Sequence, residues 1–402
     1  MTRERPLYIP AIQFLRGALR QSDSLIIGGT MKACVVHNTL NSVGGGERVC
    51  LTVIEALKEM GYEVTLITVE PTDWFRVEKI LGHGKIIKPD REEPIIPFKV
   101  RSFGIYMRLS TFLKLSRKWD LIVNTHGDVL PISSDIIYMH YPTFALLRGV
   151  DVNLKYFKSL FWRVYFTPYE KIQEKLAGRL ECKVLLTNSE YSADAIRRYV
   201  GRKPIILYPP VDIDDFSKAS DNVNREDLVV LCGRFSPEKN YEFALNVAEN
   251  LPDIEFKIIG ASSGRISEAY CRKLRKFLDE KRLKNVNLLM NASRNLQIEI
   301  YSRSKIFLHT MKGEHFGIAV VEGMAAGLIP VVHKSGGPWY DITLRGKYGF
   351  GYLSIDEAVE VIEKGIKDYW RYRDLALKRA SMFSKTKFKE KFKKIVKYVI
   401  NH

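Results

Sequence analysis

The chain has 402 residues, 46% of them hydrophobic, with five cysteines and a formal net charge of +17. That length exceeds one ordinary core and suits two domains of roughly 150–200 residues, and no stretch approaches the ~20 uninterrupted apolar residues of a membrane-spanning helix. Cys34, Cys50, Cys182, Cys232 and Cys271 are widely spaced with no C-x-x-C pair, which argues against a zinc site or disulfide framework and for a reducing, cytosolic compartment.

The charge leaves three partner classes open: nucleic acid, an anionic membrane surface, and phosphate-bearing substrates. Residues 1–30 read as an extension ahead of the fold; the alternative is a surface helix around Ile12–Leu19 that touches membrane. From Met31 the pattern is strand (Ala33–His37), glycine turn (Gly44, Gly45, Gly46), helix (Glu47–Met60, capped by Gly61) and strand (Glu63–Val69). Strands are predicted at Leu121–Asn124, Ile136–Met139, Val184–Asn188 and Ile205–Leu207. After Pro209-Pro210 the alternation restarts, with strands at Leu228–Cys232, Glu255–Ile259, Val286–Leu289, Ile306–His309 and Ile329–His333. Strand–helix alternation implies parallel sheets covered on both faces. The expected fold is therefore α/β, two Rossmann-like doubly wound domains facing a cleft. The first spans 31–210 and binds the acceptor; the second spans 211–384 and binds the nucleotide donor. A basic helix over 385–402 crosses the junction, its apolar face packed and its lysines toward solvent or lipid.

Four segments carry candidate chemistry. Glu314-His-Phe-Gly-Ile-Ala-Val-Val-Glu322 follows a predicted strand and opens a helix that ends at Gly327. Phe316, Gly317 and Ile318 are expected in its first turn, where unpaired N–H groups and the helix dipole favour a diphosphate. Gly317 lets that ligand approach the backbone. Glu322 falls about one turn further in, so Glu314 and Glu322 can flank one diphosphate and accept sugar hydroxyls. Next, Arg234 and Lys239 sit in Gly233–Asn240, straight after the first strand of the second half; strand ends are where open α/β sheets bind ligands, and the pair suits a leaving diphosphate. Gly45 and Gly46 then let a ligand reach a helix start. A dinucleotide fingerprint would need glycine where Val49 stands, although Glu70 at the end of the second strand keeps a dehydrogenase reading open. Last, His140 follows a strand and points into the cleft, with His126 and Asp128 at another strand end as acceptor-site candidates.

On these residues the chain resembles the retaining family 4 glycosyltransferases of the two-Rossmann (GT-B) type, from Met31 to about Asp341. Within the family, Glu314–Pro330, Lys334–Pro338, Gly44–Arg48 and His140–Thr143 are most similar to the eukaryotic α-1,2-mannosyltransferases that extend the dolichol-linked core oligosaccharide. The resemblance implies transfer of a hexose, mannose from GDP-mannose first, to a lipid-linked oligosaccharide or related glycan; a UDP-sugar enzyme of polysaccharide or glycolipid synthesis is the alternative. It implies that Glu314 contacts donor-sugar hydroxyls, Glu322 the ribose, and Arg234, Lys239 and the backbone at Phe316–Ile318 the diphosphate. Gly45 and Gly46 approach the donor from the other domain, and His140 contacts the sugar beside the reacting carbon. No enzymic nucleophile, metal or other cofactor is implied.

No acidic or Cys/His cluster has metal-ligand spacing, and Asp212-Ile-Asp214-Asp215 reads as a solvated acidic turn. No nucleic-acid motif occurs, so nucleic acid remains only as a remote alternative to explain the charge. The eukaryotic members carry an N-terminal span. The aromatic-basic segments Phe98–Trp119 and Tyr156–Lys175 are expected to replace it by dipping into an anionic membrane at its cytosolic face, the competing reading being a buried aromatic stripe.

Overall fold

A computed structural model describes residues 30–82, 86–99, 106–115, 119–127, 129, 130, 133–142, 144, 160–262 and 264–402. The extension 1–30 (apart from Thr30), Asp128, Thr143 and Tyr156–Lys158 lie outside the described residues, as does the side chain of Trp162.

The first sheet holds β1 (Lys32–Val36), β2 (Glu63–Thr68), β3 (Arg91–Pro94), β4 (Leu121–Asn124), β5 (Ile136–Met139), β6 (Val184–Thr187) and β7 (Ile205–Ile206) in the order β3-β2-β1-β4-β5-β6-β7. The second holds β8 (Leu228–Cys232), β9 (Glu255–Gly260), β10 (Val286–Met290), β11 (Ile306–His309), β12 (Ile329–His333) and β13 (Phe350–Tyr352) in the order β10-β9-β8-β11-β12-β13. Every pairing is parallel, with Val36 opposite Asn124 and Ile306 opposite Val229 at the two central crossings. Both orders reverse direction once, between β1 and β4 and between β8 and β11. Crevices outside the carboxyl ends of such strands are where doubly wound sheets hold ligands.

The helices that matter for the site are α1 (Gly45–Glu59), α2 (Leu160–Ala177), α3 (Glu190–Val200), α4 (Arg294–Arg303), α5 (Ile318–Ala325) and α6 (Lys385–Asn401). α1 buries Val49, Cys50, Val53, Ile54 and Leu57 on the first sheet. Phe388, Phe392, Ile395, Val396 and Val399 of α6 join that same core. The chain therefore returns to the first half, beside the linker: Val211 donates its N–H to the Phe383 carbonyl at 3.0 Å and accepts from Lys385 at 3.2 Å. Lys385, Lys389 and Lys393 reach Glu55 or Glu59 of α1 at 2.5–2.8 Å. Part of this helix's basic face is thus paired within the molecule, and its apolar face is core, not a lipid-facing surface.

Two expectations change here. Phe316 and Gly317 do not lie in the helix's first turn: α5 begins at Ile318, and Gly317 precedes it at φ +100°. A Cβ there would come 2.9 Å from Pro338 Cγ, so Gly336-Gly337-Pro338 packs on the turn and holds it left-handed. The acidic turn is not merely solvated, because Asp212 and Asp215 each meet an arginine, at 3.0 and 3.3 Å.

α2 answers the aromatic-stripe question in both directions. Phe166 and Tyr169 are buried against Tyr106, whereas Leu160, Phe161 and Val164 are 77%, 60% and 65% exposed.

Candidate active site

The loops after β1 and β5 meet the loop after β11 and the start of α5. In the first half, Gly44 stands ahead of α1 and donates its N–H to Glu47 Oε2 at 2.7 Å, a local cap that fixes the glycine turn. Glu47 Oε1 lies 3.6 Å from His37 Nε2, and His37 Nδ1 is 3.0 Å from Thr125 Oγ1. Burial opposes charge on His37, but Cys50 and the Glu47 carboxylate outweigh it and lift its pKa to about 10.

His140 directly follows β5, beside this group. Burial, helped by the neighbouring His37 charge, drops its pKa to about 4, so its ring is neutral near pH 7. Its Nε2 is buried with no hydrogen-bond partner among the described residues. A side chain on Gly46 would begin 3.4 Å from that nitrogen, and one on Gly45 only 2.8 Å from Ile318 Cδ1 across the cleft. Both glycines therefore keep open the space between His140 and the start of α5.

In the second half, Lys239 Nζ lies 2.6 Å from Glu314 Oε2, and His309 Nε2 is 3.6 Å from the same oxygen. Burial alone would raise the Glu314 carboxyl; the Lys239 ammonium and His309 hold it well below the usual carboxylate range. The Lys239 carbonyl in turn accepts from Thr310 Oγ1 at 2.6 Å, which ties the β8 loop to the β11 loop. Gly337 donates its N–H to the Glu314 carbonyl at 2.8 Å. Arg234 stands apart, 78% exposed at the rim with Glu238 3.9 Å away.

Glu322 is buried in α5 between two guanidiniums, Arg48 at 3.4 Å from the first half and Arg294 at 3.5 Å from the second. Arg48 also donates to Asp212 at 3.0 Å. The Arg294 guanidinium sits over Phe216, 3.9 Å from the ring centroid, which helps hold its fork beside the carboxylate. A further seam joins the halves: Tyr141 stacks on His315 at 4.3 Å and 4°, and Asp341 accepts the Glu190 N–H at 2.8 Å. Burial pushes the Asp341 carboxyl up to about 7.

The structure thus brings Lys239 to Glu314 and packs Gly45 on Ile318 and Gly46 on His140. Glu322 is tied to the first half through Arg48, whereas the ion-pair neighbour of Arg234 is Glu238, outside this group. His126 follows β4, its N–H donating to Asn124 Oδ1 at 2.9 Å. Arg48, Arg294, His309, Tyr141 and His315 are the additions. Arg294 had a legible signal, since it opens a helix just past β10 as Gly45 does past β1; the stacked pair had none, because partners so distant in sequence leave no local pattern. Among the described residues no group of three or more His, Cys, Asp or Glu could hold a metal ion, and no helix is long and apolar enough to cross a membrane.

Comparison with known proteins fits this geometry. Proteins named GDP-Man:Man(3)GlcNAc(2)-PP-Dol alpha-1,2-mannosyltransferase are similar to the chain. The one from Dictyostelium discoideum is 26% identical over 66% of this chain and 59% of its own length. That from Neurospora crassa is 26% identical over 88% and 77%, and the human one 28% over 52% and 47%. The chain thus spans well under two thirds of the Dictyostelium and human relatives. In fold, it resembles sucrose-phosphate synthase from Thermosynechococcus elongatus, with a TM-score of 0.69 at 14% identity over 90% of this chain and 97% of that one. It also resembles HepE from Anabaena in complex with UDP-glucose, with 0.66 at 17% over 92% and 100%. Residues 43–215 match the model of Glycosyltransferase Family 4, and residues 212–385 that of Glycosyl transferases group 1. The two models meet at the linker and together run from residue 43 to residue 385, and on that extent the chain belongs to the family 4 glycosyltransferases, folded as a GT-B pair.

Proposed function

We propose that the chain is a retaining mannosyltransferase that moves mannose from GDP-mannose to a hydroxyl of a lipid-linked oligosaccharide. The observation that carries this is the convergence of Lys239 and Glu314 with the His140–Gly46–Ile318 opening, at the switch points of two facing sheets. The names of the relatives supply the sugar, the base and the acceptor class.

In this reading, the backbone N–H at the start of α5 (Ile318) and the Lys239 ammonium hold the diphosphate, and Arg234 closes on it from the rim. As the bond between the sugar C1 and the phosphate oxygen lengthens, negative charge grows on the diphosphate, and these donors stabilise it more than in the ground state. Glu322 takes the ribose hydroxyls; Glu314, kept ionised by Lys239, takes hydroxyls of the transferred sugar. His140, neutral and with Nε2 unpaired, contacts the sugar beside C1. The acceptor hydroxyl attacks C1 from the face the diphosphate leaves, and its proton passes to the departing phosphate oxygen. No enzymic nucleophile is assigned, and none of these steps calls for a metal.

The lipid-linked acceptor implies a surface. The exposed Leu160, Phe161, Val164 and Ile172 of α2, flanked by Arg163, Lys171 and Lys175, supply an apolar strip with a basic border. That composition suits the headgroup layer of an anionic membrane at its cytosolic face.

A donor panel read by nucleoside-diphosphate release tests the reaction, run with and without lipid-linked oligosaccharide and with and without excess chelator. GDP released from GDP-mannose only when the lipid-linked acceptor is present, and unchanged by chelator, is expected. Turnover restricted to UDP-sugars overturns the donor assignment, and loss in chelator restored by manganese overturns the metal-free reaction.

A further inference from the structure

Two rings to which the proposed transfer assigns no role lie face to face between the halves. Tyr141 directly follows His140 at the end of β5, and His315 directly follows Glu314 in the loop after β11. Their centroids are 4.3 Å apart and their planes 4° from parallel. Tyr191, in the first turn of α3, lies 6.2 Å from Tyr141 at 26° and 6.4 Å from His315 at 24°, so the first half presents two rings to one imidazole. The loop beneath His315 has no slack. A Cβ on Gly336 would stand 2.4 Å from the Glu314 carbonyl oxygen, and one on Gly313 3.1 Å from the Tyr191 hydroxyl. A sideways shift of this loop therefore breaks the stack, and an intact stack holds the loop in register.

We infer that the Tyr141–His315 stack is a positioning device: it sets His140 of one half against Glu314 of the other, and so governs turnover and not nucleotide affinity. The inference rests on the proposed transfer reaction. Each ring is bonded to the next residue of a proposed sugar-contacting group, so movement of the ring passes directly to that group. The nucleotide contacts assigned to Glu322, Lys239 and Ile318 all lie in the second half, and the start of α5 at Ile318 is set by the Gly317 turn against Pro338 and not by the stack. A misplacement of about 1 Å between reacting groups costs on the order of 100-fold in rate.

The test compares His315→Ala, His315→Phe, Tyr141→Leu and Tyr141→Phe in the full chain. Readouts are kcat with GDP-mannose and lipid-linked acceptor, GDP affinity by calorimetry, and amide hydrogen exchange of residues 313–317. His315→Ala and Tyr141→Leu should lower kcat by about 10- to 100-fold, leave GDP affinity within about 3-fold, and speed exchange of the loop. His315→Phe and Tyr141→Phe, which keep a stacked ring, should restore both kcat and protection. His315→Phe as slow as His315→Ala, GDP affinity falling in step with kcat, or unchanged kcat in both truncations overturns the inference. If one truncation fails to fold, the other, paired with its ring-retaining variant, decides. A wild-type chain that transfers no sugar overturns the proposed function instead.

Discussion

Replacing Lys239 with Met removes one member of a close pair without removing the bulk of its stem. Its ammonium is 2.6 Å from Glu314, and both side chains are only about one-fifth exposed, at 20% and 19%, so water screens them weakly. At that distance and an effective dielectric near 20 the direct attraction is about 6 kcal/mol, which desolvation offsets in part. Truncating one partner of such a pair typically costs roughly 2–5 kcal/mol, much of it the penalty of stranding the other charge. Here the stranded charge is Glu314, which then faces the diphosphate and repels it. GDP affinity should fall by about 30- to 5,000-fold. Glu314→Gln alone should leave GDP affinity near wild type while turnover falls, because its assigned partners are sugar hydroxyls. The double variant Lys239→Met/Glu314→Gln should bind GDP better than Lys239→Met does. The pH dependence follows with a definite sign. In wild type the Glu314 carboxyl is held low, so its stabilising contribution is complete above the ordinary carboxylate range and is lost only as pH falls through the folded value. Without Lys239, burial is opposed by His309 alone and that carboxyl rises relative to wild type, so the variant should gain stability relative to wild type on acidification from pH 7 to 5. Isothermal calorimetry and thermal melts at stepped pH measure both effects. GDP binding within about 3-fold of wild type in Lys239→Met, or strictly additive losses in the double variant, would refute the reasoning.

Three further outcomes are expected. His140, buried neutral with a pKa of about 4, should contribute stability that is complete above its unfolded value near 6.5 and lost as pH falls toward 4; His140→Gln should flatten that limb of a melting-temperature profile. Gly317→Ala should cost roughly 1–3 kcal/mol, because the residue sits at φ +100° with Pro338 Cγ 2.9 Å from the new methyl, and differential scanning calorimetry reads the loss. Vesicles containing anionic lipid should float the protein at low salt and release it as charges are screened. Phe161→Ser with Val164→Ser should weaken that binding, and a protein that stays soluble beside anionic vesicles refutes the surface assigned to α2.

Long apolar runs ending at polar turns made the inner strands legible: Leu121–Asn124, Ile136–Met139, Ile306–His309 and Ile329–His333 occur as read. β3 and β13 were not legible, because Arg91–Pro94 carries edge-strand charges and a proline, and Phe350–Tyr352 is too short for any period. The start of α5 was misread by two residues because Gly317 takes a left-handed turn set by the packing of Pro338, which is a tertiary cause. The same limit applies to the acidic turn. Asp212 and Asp215 look solvated in the sequence, since the arginines that meet them, Arg48 and Arg294, come from another half and another helix. The motif glycines and carboxylates were visible because close approach and charge need fixed residue types at fixed spacing. The Tyr141–His315 stack was hidden because a stack needs only two flat rings, wherever the fold brings them.

The central claim is transfer of mannose with retention through a cleft shared by both halves. Its most direct test is a single reaction of the full chain with GDP-mannose and a lipid-linked oligosaccharide, with the anomeric configuration of the new linkage read by NMR. GDP-mannose carries its sugar as the α anomer, so the account predicts an α-linked mannosyl product formed together with one equivalent of GDP. A β-linked product, or GDP released with no glycan extended, would contradict it.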